Sequence, residues 1–371
     1  MDVRTDGTDI LRQMADQCSA EAALVYSCAW RKENFRYLAG VNFYGPNAMI
    51  LYARGADKTY ILLSSPYDRG RVAAAAGEAA EIILSAGDSG AALAALLRSH
   101  GISRAAVSSG GLLPAQLAAA VRGAGTEIRA AEGYIEKKRW RKTPEEVECL
   151  RKAVNLADRA FPVFVDSIAR GLNEFEIVAE VEYALKKMGA EDNFMLISTG
   201  QTEVFGMTPP QGRAAKPGDL VLTELTPQLD GWWCQICRTV VKGAASAVQR
   251  RIFDVFMEAE EAGLALVKPG TNIHDVAKAE NDVFRKYGYG EYITPQYTRV
   301  RGHGHGMHFD EAPVINEGVD FVIEEGMVIV VHPNTYNPET GYMVLGDPVV
   351  VTKEGNRMLS TTERKLFEAG V

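Results

Sequence analysis

The sequence predicts an α/β (α+β) protein with a small α/β N-terminal domain and a larger C-terminal domain built from a duplicated unit. The chain has 371 residues, the length of two average domains. Short apolar runs alternate with helical patterns over residues 1–136. From residue 143 to residue 371, the order helix, helix, strands occurs twice, which indicates two similar halves that meet at a cleft.

The N-terminal elements follow from apolar runs bounded by turn residues and from two segments rich in alanine and leucine. A basic run at 137–142 closes this domain, and we interpret it as a solvated linker. The predicted strands are 23–26, 49–52, 60–63 and 105–108, and the predicted helices are 89–99 and 113–122.

The C-terminal domain begins with a strong helix-start signal. Thr143 can cap a helix, Pro144 suits its first position, and Glu146 completes a capping box. The apolar positions then recur at helical spacing up to Gly171. The remaining predicted helices are 173–189, 247–267 and 273–287, and the predicted strands are 194–199, 219–226, 232–241, 327–332 and 347–352.

Composition excludes several classes of function. Lys and Arg number 40 against 48 Asp and Glu, and a net charge of −8 repels nucleic-acid phosphates. Five irregularly spaced cysteines do not form a disulfide framework, so we expect a reducing compartment, the cytoplasm. No run approaches the roughly 20 apolar residues that span a bilayer, so we expect no membrane role.

The segment 302–313 is the richest in chemistry, because His303, His305 and His308 lie within six residues of one another, close to Asp310. On a strand, His303 and His305 share one face and His308 points away. Clusters of titratable groups are typical of functional sites. The alternative is a glycine-rich turn whose histidines are satisfied by hydrogen bonds.

Six segments, in order and spacing, resemble one family. The chain resembles the creatinase/prolidase/methionine aminopeptidase superfamily, peptidase family M24, over nearly its whole length. The resemblance implies a creatinase-like N-terminal domain at 1–136 and a duplicated pita-bread catalytic domain at 143–371. The segments that carry it are 216–222, 231–239, 302–304, 311–313, 325–328 and 349–352.

The peptidases of that superfamily hold two metal ions on two aspartates, one histidine and two glutamates. Two close cations need anionic bridges, and the bridging positions here are a neutral amide and a glycine. We therefore expect no dinuclear peptidase site and no cofactor. The alternative is one divalent metal, Fe, Mn or Zn, on Glu224, His303 and His332. The five family positions fall on Glu224, Gln235, His303, His332 and Gly346.

Creatinase itself is a poor template for the catalytic residues. The position of its general-base histidine falls on Met207, which cannot accept a proton at neutral pH. Two glutamates that contact its substrate fall on Cys237 and His332, and the histidine that assists the aminopeptidases falls on Asp310. These changes indicate a different substrate or lost catalysis.

The leading hypothesis is a creatinase-like hydrolase that cleaves a C–N bond of a small nitrogenous metabolite by general acid/base catalysis. The bond would belong to an amide, amidine, ureido group or ring. Glu224 or His303 would activate water, and His332 would donate or relay a proton. Asp310 and His308 would orient the histidines. The alternatives are a mononuclear hydrolytic or redox metalloenzyme and a non-catalytic binding protein.

Strand alternation places Gln235, Trp233 and Cys237 on the cleft side. Cys237 is then either a nucleophile activated by a neighbouring imidazole or a buried cysteine that packs as an apolar group. The aromatic candidates suit a flat ligand, or else they fill the core. The predicted substrate-binding residues are Trp233, Gln235, Met207, Phe205, Tyr297 and His305.

The resemblance also implies a homodimer. In relatives of this size, a loop of one N-terminal domain reaches the active site of the partner. Here that loop follows the segment 36–40, and we expect Phe43 and Tyr44 at this contact.

Overall fold

The computed structural model describes residues 7–85, 87–108 and 110–370. The chain divides into two compact units, of which the first ends at Arg139 and the second begins at Trp140. Within the described residues, no helix has the length and apolar character needed to cross a membrane. The cytoplasmic location stays a prediction.

The N-terminal unit is a six-stranded mixed sheet covered by helices. Its elements are α1 (Gly7–Gln17), β1 (Ala22–Cys28), α2 (Glu33–Ala39), β2 (Asn47–Ala53), β3 (Lys58–Leu63), α3 (Arg69–Ala76), β4 (Ala80–Leu84), α4 (Ser89–Ser99), β5 (Arg104–Ser108), α5 (Ala115–Gly123), β6 (Glu127–Ala130) and α6 (Tyr134–Trp140).

The sheet order is β4-β3-β2-β1-β5-β6. The central strands are apolar on both faces because each face packs against its own core. In β1, Ala23 and Val25 belong to one hydrophobic cluster, while Leu24 and Tyr26 belong to another. A strand buried on both sides reads as a continuous apolar run, which is why the sequence predicts these strands.

The loop before β2 differs from its predicted role. Phe43 is fully buried and packs edge-on against Phe35, with ring centroids 4.9 Å apart. Its placement at a subunit contact is therefore wrong, because a side chain of this core does not reach another molecule. Tyr44 is 74% exposed. The homodimer stays a prediction.

The C-terminal unit contains four long helices and three sheets. Its elements are α7 (Pro144–Arg170), α8 (Glu174–Lys187), β7 (Asp192–Gly200), β8 (Leu220–Leu229), β9 (Trp232–Trp233), β10 (Ile236–Lys242), α9 (Ala247–Leu264), α10 (Ile273–Lys286), β11 (Gly302–Gly304), β12 (Glu311–Val314), β13 (Val328–Val331), β14 (Thr335–Asn337), β15 (Gly341–Met343), β16 (Asp347–Thr352), β17 (Gly355–Met358) and β18 (Phe367–Ala369).

The order helix, helix, sheet occurs twice in this unit, as the sequence predicts. The first sheet runs β18-β10-β8-β7 with β9 on β8, and the second runs β12-β11-β13-β16-β17. An isolated bridge between Cys237 and Gly346 joins strand β10 of the first sheet to the residue that precedes β16. The two halves therefore meet beside these residues.

The helix starts are where the capping residues predict them. Thr143 and Glu146 form a capping box at α7, and the helix ends at Gly171 in a left-handed conformation, with φ of 82°. Ser246 and Gln249 form the same motif at α9. These side chains satisfy amide groups that a helix leaves unpaired at its start.

The strand predicted at 232–241 is two strands, because Cys234 and Gln235 leave the ladder between β9 and β10. Strict strand alternation, which predicts Trp233, Gln235 and Cys237 on one face, therefore does not hold across this break. The structure also contains strands of three or four residues that lie in glycine-rich or polar segments, where no period is visible in the sequence. These are β11, β12, β14, β15, β17 and β18.

Candidate active site

The candidate site is a cavity of about 350 Å³ in the C-terminal unit. Both halves of the duplicated unit contribute to its walls, which combine polar and aromatic side chains. Its size lies within the range of small-molecule sites. The cavity is lined by Phe194, Leu196, Phe205, Gly206, Met207, Glu224, Gln235, Pro295, Gln296, Tyr297, Thr298, Arg299, Val300, His303, Phe309, Asp310, His332, Asn334 and Tyr342.

Glu224 lies in the middle of β8, opposite Leu196 of β7 and Cys237 of β10. Its Oε1 accepts a hydrogen bond from Asn334 Nδ2 at 3.1 Å. Burial raises the pKa of Glu224 to about 7, and the positive charge of Arg299 opposes part of that rise. A carboxyl group with this pKa exchanges protons at neutral pH.

His303 and His332 lie next to each other, with ring centroids 5.3 Å apart. Burial lowers the pKa of both imidazoles, and that of His332 falls well below the usual histidine value. His303 Nδ1 lies 3.1 Å from the carbonyl oxygen of Gly304. In the tautomer that donates this hydrogen bond, Nε2 is the basic nitrogen. Both rings are therefore neutral proton acceptors at pH 7.

His332 has a further property that matters for chemistry. Both of its ring nitrogens are buried, and neither has a hydrogen-bond partner among the described residues. Since the side chain lines the cavity, water or a bound ligand can supply these bonds. A buried imidazole whose nitrogens have no hydrogen-bond partner, in a side chain at a cavity wall, is suited to proton transfer.

Asp310 and Arg299 form an ion pair at the cavity, with Arg299 Nη2 donating to Asp310 Oδ2 at 2.9 Å. The other oxygen, Oδ1, lies 3.8 Å from His303 Nδ1. That separation is too long for a hydrogen bond, so Asp310 acts on His303 through its charge. The predicted orienting role of Asp310 therefore reduces to an electrostatic one.

The five positions that the resemblance assigns to metal ligands do not fit a pair of cations. A Cβ atom at Gly346 would lie 2.5 Å from His332 Cβ and 3.1 Å from Cys237 Sγ, so a longer side chain has no room there. The amide of Gln235 is hydrogen-bonded to Thr226 Oγ1 at 3.2 Å and to Cys237 Sγ at 3.1 Å. Across the described residues, no three His, Cys, Asp or Glu side chains converge to hold a metal ion.

The cavity brings together most of the predicted site residues. It is lined by predicted acid and base residues and also by predicted substrate-binding residues. These residues come from several separate segments of the chain. The predicted residues that line it are Glu224, His303, His332, Asp310, Gln235, Met207, Phe205 and Tyr297.

Four predicted residues lie outside the cavity lining, and three of them carry rings. His308 stacks on Phe309, with centroids 4.3 Å apart, and its Nδ1 lies 3.1 Å from the backbone oxygen of Asp310. His305 is fully buried, 5.0 Å from the ring of His303. Trp233 packs edge-on against Phe309 at 5.7 Å. Their direct roles in catalysis or binding are therefore not supported by the geometry, because none of the three lines the cavity.

Cys237 is also fully buried and outside the cavity lining. Burial, with the nearby charge of Glu224, raises the pKa of its thiol well above the usual value. A nucleophilic cysteine needs a lowered pKa and access to substrate. The geometry favours the alternative in the sequence analysis, a buried cysteine that packs as an apolar group.

Sequence reasoning missed three residues that shape the cavity. Asn334 donates a hydrogen bond to Glu224, and Arg299 forms an ion pair with Asp310. Phe194 forms part of the cavity wall. A signal existed for Asn334, which lies two residues after His332, and for Phe194, which alternates with Leu196 on a predicted strand. Nothing in the sequence marks Arg299.

Comparison with known sequences identifies one family. The sequence profile of metallopeptidase family M24 matches residues 148–353. The Xaa-Pro dipeptidase of Pyrococcus furiosus is 31% identical over 243 residues, which cover 65% of this chain and 69% of the relative. The Xaa-Pro dipeptidase of Lactobacillus helveticus is 34% identical over 236 residues, 63% of each chain.

Solved structures give the same answer for the fold. An Xaa-Pro dipeptidase from Bacillus anthracis superposes with a TM-score of 0.85 at 25% identity, and the match covers 98% of this chain and 99% of that one. The prolidase from Pyrococcus horikoshii OT3 gives 0.84 at 25% identity, over 97% and 99% of the two chains. The predicted pita-bread fold and the predicted class of enzyme, hydrolases that act on C–N bonds, are confirmed at this level.

Proposed function

This chain belongs to metallopeptidase family M24, and from that membership we propose that it hydrolyses the C–N bond of an amide by proton transfer between its own side chains. The observation that carries the proposal is His332, whose side chain lines the cavity and whose two buried ring nitrogens have no hydrogen-bond partner among the described residues. Glu224 lines the same cavity with a pKa near neutrality. A neutral base and a protonated acid are thus available together.

The proposed reaction uses one water molecule per amide. His332, with His303 beside it, accepts a proton as the water oxygen bonds to the carbonyl carbon. Glu224 in its protonated form donates to the leaving nitrogen as the C–N bond breaks. The proton on the imidazole then restores Glu224 through solvent, and the products are a carboxylic acid and an amine. Asn334 holds Glu224 Oε1, so the other carboxyl oxygen is the proton donor.

The proposal departs from the family in its independence of metal. Its support is the donor set, in which Gln235 is engaged in neutral hydrogen bonds and Gly346 has no space for a side chain. The relatives from Pyrococcus furiosus and Lactobacillus helveticus are named Xaa-Pro dipeptidases. A dipeptide such as Ala-Pro therefore belongs in any test, together with acetamide, benzamide and N-benzylbenzamide. We refer to these four compounds as the amide panel.

The pH dependence of kcat/KM is a direct test of the two roles. The base must be neutral, so activity rises with pH as the histidines lose their protons, below the usual histidine pKa. The acid must be protonated, so activity falls as the pH passes about 7, the pKa of Glu224. We expect a bell-shaped profile with its maximum on the acid side of neutrality, measured with the panel member that is hydrolysed fastest.

The control for this profile is Glu224→Gln. The amide keeps the size of the side chain but cannot deliver a proton, so kcat falls about 10²–10⁴-fold and the alkaline limb near pH 7 disappears. An unchanged alkaline limb in this variant would contradict the acid role of Glu224.

A further inference from the structure

Apart from Tyr342, the aromatic side chains in and behind the cavity wall form two separate groups, one on each side of Glu224. We define the first aromatic group as Phe194, Phe309 and Trp233. The rings of Phe194 and Phe309 stack in parallel, with centroids 4.3 Å apart, and Trp233 packs edge-on against Phe309. In the strand register, Phe194 lies opposite Thr226, and Trp233 lies opposite Gln228. This group therefore lies beyond Glu224 toward the C-terminal end of β8.

We define the second aromatic group as Phe205, Tyr297 and Tyr336. Phe205 stacks on Tyr336 at 4.6 Å, and Tyr297 stacks on the same ring at 5.6 Å. Tyr336 Oη donates a hydrogen bond to the carbonyl oxygen of Thr202 at 3.0 Å, and Thr202 follows Gly200, which pairs with Leu220 at the start of β8. This group therefore lies on the N-terminal side of Glu224 along β8.

The open rings are the part of each group that a ligand meets. Phe194 and Phe309 from the first group line the cavity, as do Phe205 and Tyr297 from the second. Phe205 is 57% exposed, although its other face is covered by Tyr336. Phe309 is stacked between Phe194 and His308, so in the first group a ligand meets the ring of Phe194 and the edge of Phe309. Aromatic rings bind flat apolar groups by stacking or edge contacts. The cavity thus offers two ring-binding regions with Glu224 between them.

The charges of the cavity do not favour an ionic ligand. Arg299 is the only lysine or arginine among the described residues that line it, and Asp310 already neutralises that guanidinium. The carboxylate group of a free dipeptide would therefore lose its hydration without gaining an unpaired lysine or arginine as counter-ion.

On the basis of the proposed function, we infer that the substrate is an uncharged amide that carries a flat apolar group on each side of its C–N bond. One ring occupies the first aromatic group and the other occupies the second. The amide then lies beside Glu224 and His332. N-benzylbenzamide has this form, whereas benzamide has one ring, acetamide has none, and Ala-Pro is a zwitterion.

The test measures the dissociation constant of each member of the amide panel by calorimetry in the Glu224→Gln background, where the loss of the proton donor slows hydrolysis. We expect N-benzylbenzamide to bind at least about tenfold more tightly than benzamide, since a second aromatic contact adds that much, and Ala-Pro to bind more weakly than either. In Phe205→Leu and in Phe309→Leu, which keep apolar volume but lose the ring, N-benzylbenzamide loses about tenfold in affinity. Benzamide loses affinity in only one of the two variants, because it fills one region.

The matched control is Phe175→Leu, which changes a phenylalanine of α8 that is equally exposed, at 57%, and outside the cavity lining. Its affinities are expected to equal those of Glu224→Gln alone, and thermal melting verifies that all three variants fold. Equal binding of benzamide and N-benzylbenzamide, or tightest binding of Ala-Pro, would overturn the inference.

The binding test is independent of turnover, so the inference and the proposed function fail in different ways. Tight binding of N-benzylbenzamide without hydrolysis by the unchanged protein would contradict the proposed function and support the two ring-binding regions. Hydrolysis of acetamide or Ala-Pro that depends on His332, with no preference for the two-ring amide, would overturn the inference and support the proposed function.

Discussion

His332→Ala is expected to lower kcat on the best member of the amide panel by roughly 10²–10⁴-fold, the usual contribution of a positioned base. The imidazole is buried at the cavity wall and neither ring nitrogen has a hydrogen-bond partner among the described residues, so its proton transfer cannot be replaced by a neighbouring side chain without rearrangement. His303→Ala should give a loss of similar order, because the two rings lie 5.3 Å apart and act on the same water.

The control is His274→Ala. His274 lies on α10 with 42% of its side chain exposed, and it is not among the residues that line the cavity. Its variant should retain normal kcat and KM, and thermal melting should show that all three variants are folded. If both His332→Ala and His303→Ala keep near-normal kcat/KM, the assignment of the catalytic base is wrong.

Gly346→Ala is expected to destabilise the protein by about 1–3 kcal/mol, the typical effect of forcing extra atoms into a packed interior. The new Cβ would lie 2.5 Å from His332 Cβ, and neither atom is the flexible end of a side chain. Gly346→Glu, which supplies the carboxylate found in the peptidases at this position, should be destabilised at least as much. The free energy of unfolding in urea measures both effects.

Gly355→Ala is the matched control for crowding. Gly355 also lies in the second half of the C-terminal unit, at the start of β17, and a Cβ there would meet no atom within 4 Å. Its stability should change by less than about 0.5 kcal/mol, as for other exposed surface changes. A Gly346→Glu variant as stable as the unchanged protein would show that this position can accept a metal-binding carboxylate.

Elements with a strong local signal were predictable from the sequence. The capping box at Thr143 and Glu146 fixes the start of α7, and continuous apolar runs mark the buried strands of the N-terminal sheet. Short strands such as β11, with three residues between glycines, carry no such signal, because their conformation depends on pairing with distant strands.

The sequence predicts most of the polar residues of the candidate site, but it does not predict how the site is arranged in space. Glu224, His303 and His332 all line the cavity, as their positions in the family pattern predict. Because the strand breaks at Gln235, the side chains do not alternate regularly between the two faces. Trp233 therefore does not line the cavity. Arg299 was not predictable, since its role depends on a tertiary contact with Asp310.

We propose that this site works by proton transfer between side chains and does not hold a pair of metal ions. The most direct measurement is the metal content of the protein, purified without added metal, together with amidase activity before and after dialysis against a chelator. We predict far less than two metal ions per chain and activity that survives dialysis. Two tightly bound metal ions per chain, with activity lost on their removal and regained on their return, would contradict the account.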